Sequence, residues 1–286
     1  MNGVLLVDKP ANITSNTLVQ KIKSILGKDI KVGHTGTLDF FATGLMVITV
    51  GKATRFTEYF QKLDKEYLAT GELGKETDTY DVCGKVVQER PCEKSEEEIK
   101  QAILSFIGEY DQMPPAYSSK RVKGKRAYQL AKKGITPNLK PKRVKIYDIS
   151  ILSIEKPYFV IKVRCSSGTY IRSLIKDIGD KLECGAYTHS LRRTKVGAFD
   201  VEKSLKLDDI SLDKIKENVI PIENALSFIP AIYLDEGFDK RFLVGQRFKV
   251  PFNEKGLVRV FSKDGRFLGT GFIKEEKILQ PDKVLN

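Results

Sequence analysis

The chain has 286 residues, enough for one large domain and a small one, and 41% of them are apolar, enough for a core. No run of about 18 apolar residues is present to span a bilayer, and MNGVLLVDKP lacks the basic flank and long apolar run of a secretory signal, so a cytoplasmic protein is expected. Lysine and arginine number 49 against 37 acids, and the net charge of +12 points to an anionic partner rather than to a fold.

Gly3–Val7 reads as a short buried strand that breaks at Lys9-Pro10. Thr14 or Ser15 can then cap a helix with Leu18, Val19, Ile22, Ile25 and Leu26 on one face, stopped by Gly27. A loop rich in glycine and threonine follows, and after it the apolar run Leu45–Val50. Ser95 and Glu98 have the spacing of a capping box, and Ile99, Ile103, Phe106 and Ile107 form the buried stripe of the helix they open. Tyr147–Ile154 and Tyr158–Cys165 read as neighbouring strands with a turn at Lys156-Pro157. A further helix turns Ile171, Leu174, Ile175, Ile178 and Leu182 inward. Strands and helices alternate irregularly, without a βαβ repeat, so the expected class is α+β.

Between these elements, Gln112 to Tyr147 contains no acid, while eleven basic residues fall between Lys120 and Lys145. A solvated face normally mixes signs, so a one-sign run, broken by Pro114-Pro115, Gly124, Gly134 and Pro137, suggests an inserted arm that meets a polyanion. After about Pro230, Phe248–Val250, Leu257–Ser262 and Arg266–Ile273 are short strand candidates, and Asp264-Gly265 is a hairpin signal. A small terminal β-barrel over residues 230–286 is expected, with 1–229 as the main domain and 112–145 as its inserted arm.

The densest chemistry is Gly33-His34-Thr35-Gly36-Thr37-Leu38-Asp39-Phe40-Phe41-Ala42-Thr43-Gly44. Glycines allow close backbone approach, hydroxyls fix loops, and a carboxylate between Leu38 and Phe40 needs a partner. The residues alone leave two readings open for Asp39, a turn cap or a reactive carboxylate. A phosphate-binding loop fails: six residues separate Gly44 from Gly51-Lys52 where four are required, and Ala53 replaces the needed hydroxyl. In Cys165–Arg172, a helix starting near Thr169 puts Arg172 in its first turn, where the dipole disfavours a cation. Either a buried carboxylate holds it or it is an exposed arginine. Tyr67 is a site candidate or an ordinary core aromatic. Cys83, Cys92, Cys165 and Cys184 form no CxxC pair, and His34 and His189 are the only histidines, so reduced thiols and no metal site are expected.

At GHTGTLDFFATGLM the sequence resembles the tRNA pseudouridine-55 synthase family. GVLLVDKPANITSN, KEYLATGELGKETDTYDVCGKVV, QMPPAYSSKRVKGKRAYQLAKKG and CSSGTYIRSLIKDIGDKLECGAYTHSLRR extend the resemblance, in order, over nearly the whole chain. It implies a pseudouridine synthase fold, with a mixed, mainly antiparallel sheet, flanking helices and a PUA-like C-terminal barrel. It further implies isomerisation of one tRNA T-loop uridine, with Asp39 catalytic, Tyr67 stacked on the base and Arg172 paired with the aspartate. Leu191 is expected in the same pocket, and His34 in the space that the flipped base vacates. Lys9 and Pro10 are expected to support the site loop, and Lys120 and Arg121 to contact RNA from the arm.

Such an isomerisation involves no redox change, so no cofactor is expected, and nothing suggests an obligate interface, so a monomer is. Phe40 stands where the family commonly has proline, which implies a somewhat freer loop. Two other readings remain beside the stand-alone enzyme. One is the catalytic subunit of a guide-RNA-directed complex, which the lack of a long basic tail disfavours. The other is an RNA-folding chaperone.

Overall fold

The computed structural model describes residues 1–118, 121–122, 125–127, 135 and 138–285, with 121–122 and 125–126 described by their backbone alone. Ten strands among the described residues form one mixed sheet. In spatial order its main path runs Leu205–Lys206, Gly3–Lys9, Thr43–Val50, Ala186–Val196, Lys65–Leu73, Tyr158–Cys165, Lys142–Glu155 and Gly108–Gln112. Val32–His34 adds to Thr43–Val50, and Phe199–Asp200 to Ala186–Val196. All pairings are antiparallel except Gly3–Lys9 with Leu205–Lys206 and Thr43–Val50 with Ala186–Val196.

Position in the sheet explains the strand patterns. Gly3–Lys9 is covered on both faces, Leu5 and Val7 entering one core and Val4 and Leu6 another, so it reads as a continuous apolar run. Thr43–Val50 is divided in the same way, with Met46 and Ile48 on one side and Leu45 and Val47 on the other. Tyr158–Cys165 has one open face, and its sequence alternates, burying Phe159, Ile161, Val163 and Cys165.

The three longest helices pack on one face of this sheet. Thr14 caps Ser15–Leu26 by accepting from the Thr17 N–H, and Gly27 ends it with φ 94°. The capping box forms at Ser95 and Glu98, but the helix Glu96–Leu104 stops short of the last two stripe residues. Phe106 packs beyond its end and Ile107 is exposed. Helix Ile171–Lys181 buries Ile171, Leu174, Ile175 and Ile178, as its periodicity requires.

The strand expected from Tyr147 begins at Lys142, inside the basic stretch, because it pairs with Gly108–Gln112 along a register that sets Lys142 opposite Gln112. The chain between those two residues therefore leaves and rejoins the sheet at one point. Among the described residues, it holds the short pairing of Arg121–Val122 with Lys125–Arg126. Lys120 lies outside the described residues.

The C-terminal residues build a five-stranded sheet in the order Ala231–Leu234, Gly256–Ser262, Phe267–Ile273, Ile278–Val284 and Phe248–Lys249. Ala231–Leu234, at one edge, and Ile278–Val284 were not anticipated, the second because Pro281 interrupts its pattern. Ile232, Val258, Val260, Leu268, Leu279 and Phe242 give it a core of its own. It docks on the larger sheet through Phe56 against Phe267, Tyr59 Oη bonded to Thr270 Oγ1 at 2.8 Å, and the Lys283–Glu58 pair at 3.0 Å. No helix among the described residues is long and apolar enough to cross a membrane.

Helix Ile171–Lys181 also carries a misplaced charge. Burial pushes the Asp177 carboxyl up to about 6, with Lys176 opposing and Asp180 adding to the shift. Between about pH 4 and the folded value, the native state binds a proton that the unfolded chain releases, so stability declines as pH rises through that window. Asp177→Asn is expected to raise the melting midpoint by about 2–4 °C near pH 7. Little gain is expected near pH 4, and thermal melts giving the same gain at both pH values would contradict this.

Candidate active site

The loop between Val32–His34 and Thr43–Val50 carries Asp39, and the chain beneath it fixes its backbone from several sides. Ser15, buried at the head of the first helix, donates through Oγ to the Leu38 carbonyl at 3.1 Å and accepts from the Leu38 N–H at 2.9 Å. The Phe40 carbonyl accepts from the Asn12 N–H at 2.8 Å and from Lys9 Nζ at 3.5 Å. Lys9 is fully buried, and its ammonium also donates to the Pro10 and Ile13 carbonyls at 2.9 Å each. Burial lowers its pKa to about 8, against the opposing pull of Asp39. The freedom expected from Phe40 in place of proline is thus offset by donors on its carbonyl, while its side chain is half exposed at the cleft.

Arg193, 2% exposed, staples the other end of the loop, donating through Nε to Leu45 O at 2.7 Å and through Nη2 to Gly36 O at 3.2 Å. The backbone there requires glycine: Gly44 has φ 107°, and a Cβ on it would lie 2.3 Å from the Arg193 carbonyl oxygen.

Arg172 stands in the first turn of Ile171–Lys181, whose N-cap residue Tyr170 makes no side-chain capping bond. Its side chain is 4% exposed. A buried cation at a helix N-terminus is doubly unfavourable, and five oxygens from three segments offset it. Nη2 donates to Asp39 Oδ1 at 3.0 Å, and Nε faces Asp39 Oδ2 at 2.9 Å, an ion pair off the hydrogen-bond axis. Nη1 donates to Asp81 Oδ2 at 3.2 Å and Thr79 O at 2.9 Å, and Nη2 also to Tyr117 O at 2.8 Å. Of the two acids, Asp39 is 35% exposed and Asp81 only 7%. Burial pushes the Asp81 carboxyl up, opposed by the Thr79 hydroxyl, Arg172 and the Cys83 N–H. Arg172 therefore shares its charge between an accessible carboxylate and a sequestered one.

This pair opens into a cleft of about 870 Å³ that His34, Asp39, Tyr67, Arg172 and Leu191 all line. The volume lies within the range of sites that enclose small ligands. Tyr67, 9% exposed, comes from the central strand Lys65–Leu73; burial pushes its phenol up, against the opposing charge of Arg193. Leu191 arrives from the adjacent strand, paired with Ala69. Lys9 and Pro10 do not line the cleft: Lys9 lies buried under the loop and Pro10 is exposed. Of the arm residues, Lys120 is outside the described residues and the side chain of Arg121 is not described.

The sequence reading missed Asp81, Arg193 and Ser15. Asp81 stood within the quoted stretch KETDTYDVCGKVV, whose Thr-Tyr-Asp-Val-Cys run is a turn that folds Thr79 and the Cys83 N–H onto one carboxylate. Arg193 had a weaker signal, as an arginine inside a strand whose neighbours are buried.

An arginine-held carboxylate in a mainly polar cleft beside a buried tyrosine defines an enzyme site. Family comparison says which kind: the chain belongs to the TruB family of pseudouridylate synthases. Profiles described as "TruB family pseudouridylate synthase (N terminal domain)", "tRNA pseudouridylate synthase B C-terminal domain" and "Pseudouridine synthase II TruB, C-terminal" match residues 23–171, 172–227 and 230–285. The protein called tRNA pseudouridine synthase B in Clostridium tetani is 44% identical, with 95% of each chain covered. That of Thermotoga maritima is 43% identical over 93% of this chain and 88% of its own. That of Aquifex aeolicus is 40% identical over the full length of both. Among solved structures, a chain of an H/ACA ribonucleoprotein bound to a substrate RNA containing 2′-deoxyuridine superposes with TM-score 0.74 at 26% identity, covering 99% of this chain and 85% of its own.

Removing one partner from a buried ion pair costs about 3–5 kcal/mol. Arg172→Met should lower the unfolding free energy by an amount of that order near pH 7, because Asp81 is left charged in a buried place. The loss should shrink as pH falls and Asp81 takes a proton. Urea titrations at several pH values check this, and a loss independent of pH would contradict it.

Proposed function

We propose that this protein converts uridine 55 of the tRNA T loop to pseudouridine, with Asp39 as the catalytic carboxylate and without a guide RNA. The observation that carries the proposal is the Asp39–Arg172 pair at the head of a cleft lined by Tyr67, in a chain of the TruB family. The relatives at 40–44% identity are called tRNA pseudouridine synthase B, whereas the chain from the H/ACA ribonucleoprotein is 26% identical. That contrast favours the stand-alone enzyme.

The reaction breaks the N1–C1′ bond, turns the uracil and forms a C5–C1′ bond. The proton leaves C5, N1 gains one, and no electrons enter or leave. Asp39 is the nucleophile that divides the step in two through a covalent intermediate. Arg172 aims that carboxylate, its guanidinium already immobilised by Asp81 and two carbonyls, so little reorganisation is needed on attack. A uridine inside a folded loop must swing out to reach the cleft. Tyr67 is its stacking platform, where an aromatic ring contributes about 1–3 kcal/mol per base. Leu191 walls the same pocket, and His34, at its rim, fills the gap left in the RNA.

Lys9 and Pro10 act indirectly, through the Phe40 carbonyl. Lys120 and Arg121 meet phosphates from the arm of residues 112–145, and residues 230–286 form a PUA-like RNA-binding unit attached to a catalytic unit of residues 1–229. The chemistry requires no cofactor. The enzyme works as a monomer in the cytoplasm, where its substrate is.

The test is tritium release from a T stem-loop labelled at uridine C5, using purified protein and no other RNA. Release is expected from wild type. Tyr67→Ala should bind the RNA about five- to a hundredfold more weakly than wild type, since one stacking contact is lost, and is assayed at saturating RNA. It should release tritium at least about a hundredfold more slowly, because the base is no longer held over Asp39. Binding without release by the wild type would overturn the stand-alone reading.

A further inference from the structure

The segment Ser166–Ser173, which ends in Arg172 and its neighbour, is gripped from both ends of the arm. From the incoming side, Gln112 makes two bonds to the Tyr170 backbone: Oε1 accepts from the N–H at 2.8 Å, and Nε2 donates to the carbonyl at 3.0 Å. Met113 O accepts from Ser173 Oγ at 2.7 Å, and Tyr117 O from Arg172 itself at 2.8 Å. From the outgoing side, Lys145 donates its N–H to Ser166 Oγ at 2.9 Å and accepts from the Ser166 N–H at 2.8 Å. Lys142 Nζ donates to Ser167 O at 3.2 Å. Both roots of the arm thus converge on the loop that delivers Arg172.

Within this clamp Gln112 has an unusual place. It is 1% exposed on an edge strand, and Nε2 also donates to the Tyr110 hydroxyl. Tyr110 lies close enough to the Asp177 carboxylate, nearly two turns further along the same helix, for that charge to help push its phenol up, after burial. One short strand therefore grips helix Ile171–Lys181 at its head through Gln112 and places Tyr110 along its side. Tyr170 lacks a side-chain capping bond; its carbonyl accepts from the Leu174 N–H at 3.1 Å, and Gln112 adds a bond to that carbonyl and holds the Tyr170 N–H. Two bonds to both polar groups of one residue fix a peptide's orientation as well as its position, and Arg172 is two residues on.

We infer that Gln112 is a positioning residue for the isomerisation: it orients the peptide at Tyr170 so that the Arg172 guanidinium meets Asp39 in the reactive geometry. The inference rests on the reading of Asp39 and Arg172 as the reactive pair. Gln112 does not line the cleft, so its effect must appear in the rate of the bound complex rather than in RNA affinity.

The experiment compares wild type with Gln112→Leu, which keeps the bulk and removes all the amide's bonds. Single-turnover tritium release is measured at saturating T stem-loop RNA, dissociation constants on the same samples, and the ¹⁵N–¹H signal of Arg172 Nε by NMR. The expected result is a rate about ten- to a hundredfold lower, the scale of a small misplacement of a reactive group. RNA affinity should stay within about threefold, with the Arg172 Nε signal shifted or broadened. A wild-type rate, or a loss confined to affinity, would overturn the inference. An unchanged Arg172 signal in a slow variant would overturn it too. If Gln112→Leu fails to fold, Ser173→Ala, which cuts one outlying bond of the same clamp, must show the same pattern at smaller size, and full activity there would be equally fatal. Wild-type protein inert on the same RNA would instead remove the proposed function itself.

Discussion

A guanidinium that is almost wholly buried at the amino end of a helix sets the terms for the rest of this molecule. Helix dipole and desolvation both oppose a cation there. Arg172 tolerates the place because oxygens from Asp39, Asp81, Thr79 and Tyr117 surround it. Those oxygens come from the site loop, the turn after Lys75–Thr77 and the root of the arm, so one side chain ties three distant parts of the sequence together. The pairing is asymmetric. Asp81 is sequestered and can serve only to hold the arginine, while Asp39 keeps about a third of its surface open to the cleft. In a pair of this kind the buried acid supplies the geometry and the open one is free to react.

The loop that presents Asp39 shows the same economy on the backbone. Ser15 holds Leu38 from both polar groups, Asn12 and Lys9 hold Phe40, and Arg193 holds Gly36. Proline would limit one dihedral at position 40, whereas here hydrogen bonds from outside the loop constrain it. Lys9 is costly to bury, yet one ammonium satisfies three carbonyls at the crossing of two chain segments. This explains how a residue outside the cleft belongs to the site.

How much of this was legible beforehand depended on how local the signal was. The caps at Thr14 and Ser95, the stop at Gly27 and the stripe from Ile171 to Ile178 are short-range devices, and they form as the sequence implies. The end of the second helix was misjudged because Phe106 and Ile107 continue its apolar spacing after Leu104 has closed it. The strand at Lys142 and the edge strand Ala231–Leu234 are set by partners well away along the chain, which no local pattern encodes, whereas Ile278–Val284 pairs with the strand just before it and was hidden by Pro281. Site residues divide in the same manner. Asp39 and Arg172 stood out as unusual residues in unusual surroundings, and the family resemblance turned two open alternatives into a pair. Asp81, Arg193 and Gln112 act through contacts across 91, 157 and 58 positions, and for them the sequence offered only an ordinary acid, an ordinary strand arginine and an ordinary amide.

The central claim is that Asp39 is the reacting group and that the surrounding structure exists to hold it. Its most direct test is Asp39→Asn, which keeps the shape and removes the charge. Single-turnover tritium release from tRNA labelled at uridine C5 would be measured at saturating protein, with binding followed on the same samples. RNA affinity is expected to stay within a few-fold of wild type and release to fall by at least about 10⁴-fold, to background, since an amide cannot act as the nucleophile. Release within about tenfold of wild type would contradict the account outright and return Asp39 to the role of a turn cap.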